Sequence, residues 1–130
     1  MSNAASGLNS NIIDVSPGPG IIVASVPLTL SGRTRPRGIP HKVFLTGQFA
    51  AFTTGVTGGG SITAGILIDG KLLVDTELGN LPDQTDAVLS LSGVFPVGAG
   101  AHVFELQAYV FDMASASVHH RSLTAIDLEA

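Results

Sequence analysis

Two adjacent histidines, His119-His120, are the side chains best suited by type to hold a metal ion, because imidazole is a good ligand for zinc or nickel. On a regular strand neighbouring side chains point to opposite faces, so the pair cannot chelate one ion within one chain. Three copies of either ring around a trimer axis could. The plainer alternative is a surface histidine beside a core or interface histidine. Asp83 and Asp86 flank a turn and offer the hard oxygen ligands that calcium takes, although no EF-hand-type loop is present and Asp in a turn commonly bonds its own backbone. Arg33, Arg35 and Arg37 alternate in a proline-containing loop, and a guanidinium fork grips sulfate, sialic acid or phosphate through paired hydrogen bonds. The alternative there is a solvated loop. His102 follows Gly98-Ala99-Gly100 and is expected to satisfy a hydrogen bond near that turn.

Other chemistry is sparse. Gly55 to Gly60 is glycine-rich, but it lacks the Lys-Ser/Thr ending and the following helix that a phosphate loop needs, so it is expected to be a strand connection. The chain has no cysteine, so disulfides, thiolate zinc sites and a cysteine nucleophile are excluded. No Gly-x-Ser-x-Gly elbow and no Ser/His/Asp set stands out. An enzyme is not expected, nor is a cofactor.

The elements that must position these residues follow from composition and periodicity. Of 130 residues only 12% are charged, against roughly 25% in ordinary soluble domains, while 45% are hydrophobic and the mean hydropathy is +0.43. Such a chain is neither disordered nor a charge-rich coiled coil. No apolar run approaches the roughly 18 residues of a membrane-spanning helix, so membrane insertion is not expected. The formal net charge of −4 argues against nucleic acid and anionic membranes as partners. Met1 to Asn11 has no basic start and no apolar block, so nothing in it reads as a secretory signal.

Residues 1–20 are small and polar and end in Ser16-Pro17-Gly18-Pro19-Gly20, which reads as a flexible tail or tether ahead of a single β-sandwich domain from 21 to 130. Beyond Ile21, short β-branched and aromatic segments follow one another without helical spacing. Pro27 interrupts the first, Ile21 to Leu30, and points to an edge position or a bulge. In His41 to Thr53, Val43, Leu45 and Phe49 share one face, with Lys42, Thr46 and Gln48 on the other beside Phe44 and Phe52. Ser61 to Ile68 and Lys71 to Leu78 alternate around Asp69-Gly70, the preferred two-residue hairpin turn. Ala87 to Phe95, Ala101 to Met113 and Val118 to about Glu129 complete seven or eight antiparallel strands, the number and spacing of a sandwich or barrel. Several strands are apolar or neutral on both faces, which points to one sheet face meeting other subunits, the alternative being a thick core under long loops.

Gly98-Ala99-Gly100-Ala101-His102-Val103-Phe104-Glu105-Leu106-Gln107-Ala108, the small-residue turn Ala114-Ser115-Ala116-Ser117 and the closing strand Arg121 to Ile126 resemble the last two strands of tumour-necrosis-factor-like and complement-head-like jelly rolls. The strand pattern carries the resemblance over roughly 21–129, the wording over about 30 residues, without the Trp and most of the Tyr of the animal members. It implies an all-β antiparallel jelly-roll sandwich assembling as a homotrimer. It also implies a structural or receptor-recognition head on a virion, phage, spore or cell surface, or a carbohydrate-binding lectin of the same fold. The expected partners are further copies of the chain and a cell-surface receptor or glycan.

Overall fold

The computed structural model describes residues 3–9, 11–31 and 38–129, and these form β-strands joined by turns. The strands are β1 (Asn3–Asn9), β2 (Ile13–Val15), β3 (Ile21–Leu30), β4 (His41–Thr54), β5 (Gly60–Ile68), β6 (Lys71–Leu81), β7 (Asp86–Val97), β8 (Gly100–Phe111) and β9 (Ser115–Asp127). All the pairings are antiparallel. The first sheet has the order β1-β9-β4-β7 with β2 also on β9, and the second has the order β3-β8-β5-β6. The two sheets form the sandwich expected from the strand spacing.

Period-two alternation builds the core. On β4, Val43, Leu45, Phe49 and Ala51 are fully buried, while Lys42, Gln48 and Phe52 between them face out. Phe104, Leu106, Ala108 and Val110 of β8 face them from the second sheet, joined by Ile62, Ala64 and Ile66 of β5 and Leu123 and Ala125 of β9. Burying a large aliphatic or aromatic side chain contributes about 1.5–3 kcal/mol, so this interior is the main source of stability. Gly47 sits among it because a Cβ there would lie 3.1 Å from Leu106 and 3.4 Å from Leu123.

The local expectations hold where the chemistry is local. Asp69 and Gly70 take φ of 49° and 84°, the two positive values of a type I′ hairpin turn between β5 and β6. β3, with Pro27, is an edge strand that pairs with β8 alone, and its register shifts between Ile22 and Ala24. Asp112, at φ 58°, makes the turn after β8, and β9 already begins at Ser115, so most of the small-residue segment from Ala114 to Ser117 is strand.

The stretch from 1 to 20 departs from the tether expected of it. β1 runs beside β9 from Asn3↔Asp127 to Asn9↔Arg121, and β2 pairs Ile13↔Val118 through Val15↔Ala116. Val15 is fully buried. The Pro-Gly run is a link between β2 and β3, and the strands before it are selected by the edge that β9 offers, which their own sequence does not announce.

Candidate functional site

A β-bulge decides where the histidine pair sits. Across β4 and β9 the register runs Gln48↔Ser122 and then Ala50↔His119, leaving one extra residue on β9, and His120 takes φ 51°. Both rings therefore lie on the outer side of the first sheet, in edge-to-face contact at 4.8 Å between centroids. This corrects the opposite-face expectation, which holds for a regular strand only. Asp86 stands 3.9 Å from His119 and is 73% exposed. Asp83 is drawn elsewhere: its carboxylate accepts the Val56 N–H at 3.2 Å and so closes the β4–β5 loop. Among the described residues no group of three or more His, Cys, Asp and Glu side chains could hold a metal ion.

Beyond the bulge Arg121 points into the interior, in phase with Leu123 and Ala125, and is 3% exposed. Its Nε–H donates to the Val23 carbonyl at 2.6 Å and an Nη1–H donates to the Asn11 carbonyl. Val23 stands at the register shift of β3, so its carbonyl lies outside the regular pairing with β8. Two irregularities in two sheets thus meet at one guanidinium, which fastens the chain between β1 and β2. No sequence pattern marks this, since Val-His-His-Arg-Ser alternates equally well in either phase.

Two histidine–aspartate pairs tie one end of the sandwich. The buried His41 ring places Nδ1 2.9 Å from the Asp127 carboxylate and Nε2 2.7 Å from the Ser31 carbonyl. His102 donates from Nδ1 to Asp69 at 2.6 Å and from Nε2 to the Gly98 carbonyl at 2.7 Å, the turn bond expected of it plus a longer-range ion pair. Burial alone would lower the His102 pKa, but the bonds to Asp69 and Gly98 outweigh it and hold the ring above the usual histidine value. The His102 hydrogen bond, helped by the Val103 N–H, holds the Asp69 carboxyl below its usual value. Arg33, Arg35 and Arg37 lie outside the described residues.

The outer face of the first sheet is neutral. Its cross-strand rows read Val94–Phe44–Ile126, Ser92–Thr46–Thr124 and Ser90–Gln48–Ser122, then Val88–Ala50–His119. Lys42 closes one end of this field, and Asp86 and Asp14 close the other. Val88 and Val94 are 66% and 53% exposed. The outer face of the second sheet carries Asp75 beside Gly65, Glu77 beside Thr63 and Glu105 beside Leu67. There β5 is buried on both sides by its own chain, with Leu72 covering Gly65, where a Cβ would lie 2.9 Å from it. For β5, then, the two-faced apolar pattern is explained by cover from its own chain.

This strand order and layering define a jelly-roll-like sandwich, and solved structures share it. The chain is similar to the structure of infectious bursal disease virus, Gx strain, with TM-score 0.64 and 14% identity over 97% of this chain and 32% of that one. It is similar to a mutant VP2 protein of the same virus in derived T=1 particles, with TM-score 0.63 and 14% identity over 98% of this chain and 31% of that one. Eiger TNF from S. frugiperda is similar over 96% of this chain and 91% of that one, with TM-score 0.55 and 11% identity. The chain thus spans about a third of the viral chains it matches. No protein-family model and no curated protein matches the sequence. Among the described residues, no helix is long and apolar enough to cross a membrane.

Proposed function

We propose that the protein is a non-catalytic jelly-roll module that assembles with copies of itself, as a homotrimer, for structural assembly or receptor recognition on a particle, fibre or cell surface. The observation that carries this is the uncharged outer face of the first sheet. A solvent-facing sheet surface ordinarily carries charged side chains. Here the rows from Val94–Phe44–Ile126 to Ser90–Gln48–Ser122 hold aliphatic, aromatic and hydroxyl side chains, the composition of an interface core from which charge is depleted. From strand spacing and rise, three strands over four such rows cover roughly 400 Å². That is about half of the roughly 800 Å² that each partner contributes to a standard interface. A neutral face can also meet its own copy without opposing like charges, although the chain as a whole carries −4.

The viral similarity, which includes a protein in T=1 particles, and the similarity to a TNF support the assembly reading through the fold they share with this chain. Sedimentation at micromolar concentration tests it. A species heavier than one protomer is expected, and a protomer that stays single across that range rejects self-assembly.

A further inference from the structure

The row Tyr109–Thr63–Glu77 crosses the outer face of the second sheet, and Gln107–Gly65–Asp75 runs beside it. Residues directly opposite each other on neighbouring strands share a face, so the side chains of both rows stand on that side. Phe111, two residues along β8, is 46% exposed and meets the Tyr109 ring edge-to-face at 5.6 Å. Leu72 covers Gly65, and the Gln107 amide packs against Gly20, where there is no room for a Cβ. The floor between Tyr109 and Glu77 is Thr63. It is 5% exposed, and among the described residues its hydroxyl makes no hydrogen bond. A buried polar group without a partner costs stability, and valine would fill the same shape without that cost. The fold therefore gains nothing from this hydroxyl, which stands between an aromatic ring and an exposed carboxylate.

We propose that this row binds an uncharged glycan, with one sugar ring lying over Thr63 between Tyr109 and Glu77. Such a site gives the recognition role proposed above its ligand class; it rests on that role and not on assembly through the neutral face. Neighbouring strands are about 4.8 Å apart, so Tyr109 and Glu77 stand about 10 Å apart across β5, which leaves room for one ring. The C–H groups of a sugar suit the electron-rich face of an aromatic side chain. Its hydroxyls can donate to the carboxylates of Glu77 and Asp75, which only accept, and can pair either way with the Thr63 hydroxyl. Apolar cover with a few converging polar groups is the usual make-up of a small-ligand site. An anionic glycan is repelled by Asp75, Glu77 and Glu105 and by the net charge of −4. A basic peptide can meet the exposed carboxylates without using a hydroxyl at the floor, so it is the less suitable occupant.

The test is calorimetric titration of the full chain with neutral oligosaccharides of glucose, mannose, galactose and N-acetylglucosamine, with sialyllactose, and with a lysine-rich peptide. A neutral oligosaccharide should bind with an affinity that hardly changes with salt, and sialyllactose should bind about tenfold more weakly or not at all. Thr63→Val should lose about tenfold in affinity while unfolding at an equal or higher urea concentration, a pairing that a merely structural threonine would not show. Tyr109→Leu and Glu77→Gln should each lose about tenfold as well. Absence of binding by every neutral oligosaccharide, wild-type affinity in Thr63→Val, or tighter binding of sialyllactose or the peptide would overturn the proposal. A single protomer that binds a neutral oligosaccharide would remove the assembly reading and leave this site standing; an assembly that binds none of them would do the reverse.

Discussion

On the outer side of the first sheet the rows run Val94–Phe44–Ile126 and Ser92–Thr46–Thr124; on the outer side of the second they place Glu105, Asp75 and Glu77 beside Leu67, Gly65 and Thr63. Both sheets send alternate residues into one shared core, so the interior does not account for the difference. On the second face Leu72 lies over Gly65, Asp75 and Glu77 are exposed on β6, and Val103 and Phe111 of β8 are exposed beside the half-buried Glu105. The first face is apolar and neutral along its rows from Val94–Phe44–Ile126 to Val88–Ala50–His119. Arg121 is in phase with the buried Leu123, Ala125 and Asp127 of β9, so its charge lies in the interior and off that face, while the bulge at His120 leaves His119 and His120 together on the outer side.

The largest effect is expected from removing that interior charge. Arg121→Met leaves the Val23 and Asn11 carbonyls without their donor and should cost about 3 kcal/mol, at roughly 1.5–3 kcal/mol for each bond to a charged group. Urea unfolding measures the loss, and hydrogen exchange should show β1 and β2 losing protection before β4 and β8 do.

Next in size is a charge placed on the neutral face. Gln48→Glu should weaken association about a hundredfold, because a carboxylate would be buried without a partner. The matched change on the other side, Ser25→Glu beside Glu105, should leave the molar mass unchanged and shift stability by no more than about 0.5 kcal/mol. If the two variants behaved alike, the distinction between the faces would be lost.

His120→Val should cost about 1–2 kcal/mol, since a β-branched residue is strained at φ 51°, whereas His120→Gly should be close to neutral. A larger loss with Gly than with Val would show that the ring contact with His119 matters more than the backbone.

The smallest effect is pH-dependent. His102 has a raised pKa, so its contribution is complete below 6.5 and is lost as pH rises through the folded value; Asp69 has a lowered pKa, so its contribution is complete above 3.8 and is lost as pH falls through its own. The stability difference between wild type and His102→Ala should therefore be greatest between those two values. It should be only about 0.5 kcal/mol, because Asp69 is half exposed and solvent screens the pair. Urea unfolding from acid to alkaline pH checks it, and a difference that grew above pH 7 would contradict the assignment.

What could be read in advance was what neighbours in sequence decide. Asp69-Gly70 between alternating runs gives its hairpin, the alternation around Val43, Leu45 and Phe49 gives the buried side of β4, and Pro27 gives an edge. The rest is set by distant partners. β1 and β2 form because β9 offers an edge and Arg121 reaches Asn11 across 110 positions. The bulge that brings His119 and His120 together is invisible in their spacing, and Asp69, legible as a turn residue, gains His102 from a strand 33 positions away. The charge deficit could be seen from composition; which face lacks the charge required the register.

Light scattering on the wild type beside Gln48→Glu and Ser25→Glu tests the central claim most directly. Wild type and Ser25→Glu should scatter as the same multiple of the 13.2 kDa chain, a trimer, while Gln48→Glu falls to the single chain. A wild type that scatters as 13.2 kDa, or an assembly indifferent to Gln48→Glu, would contradict the assignment of the neutral face as the surface that joins copies.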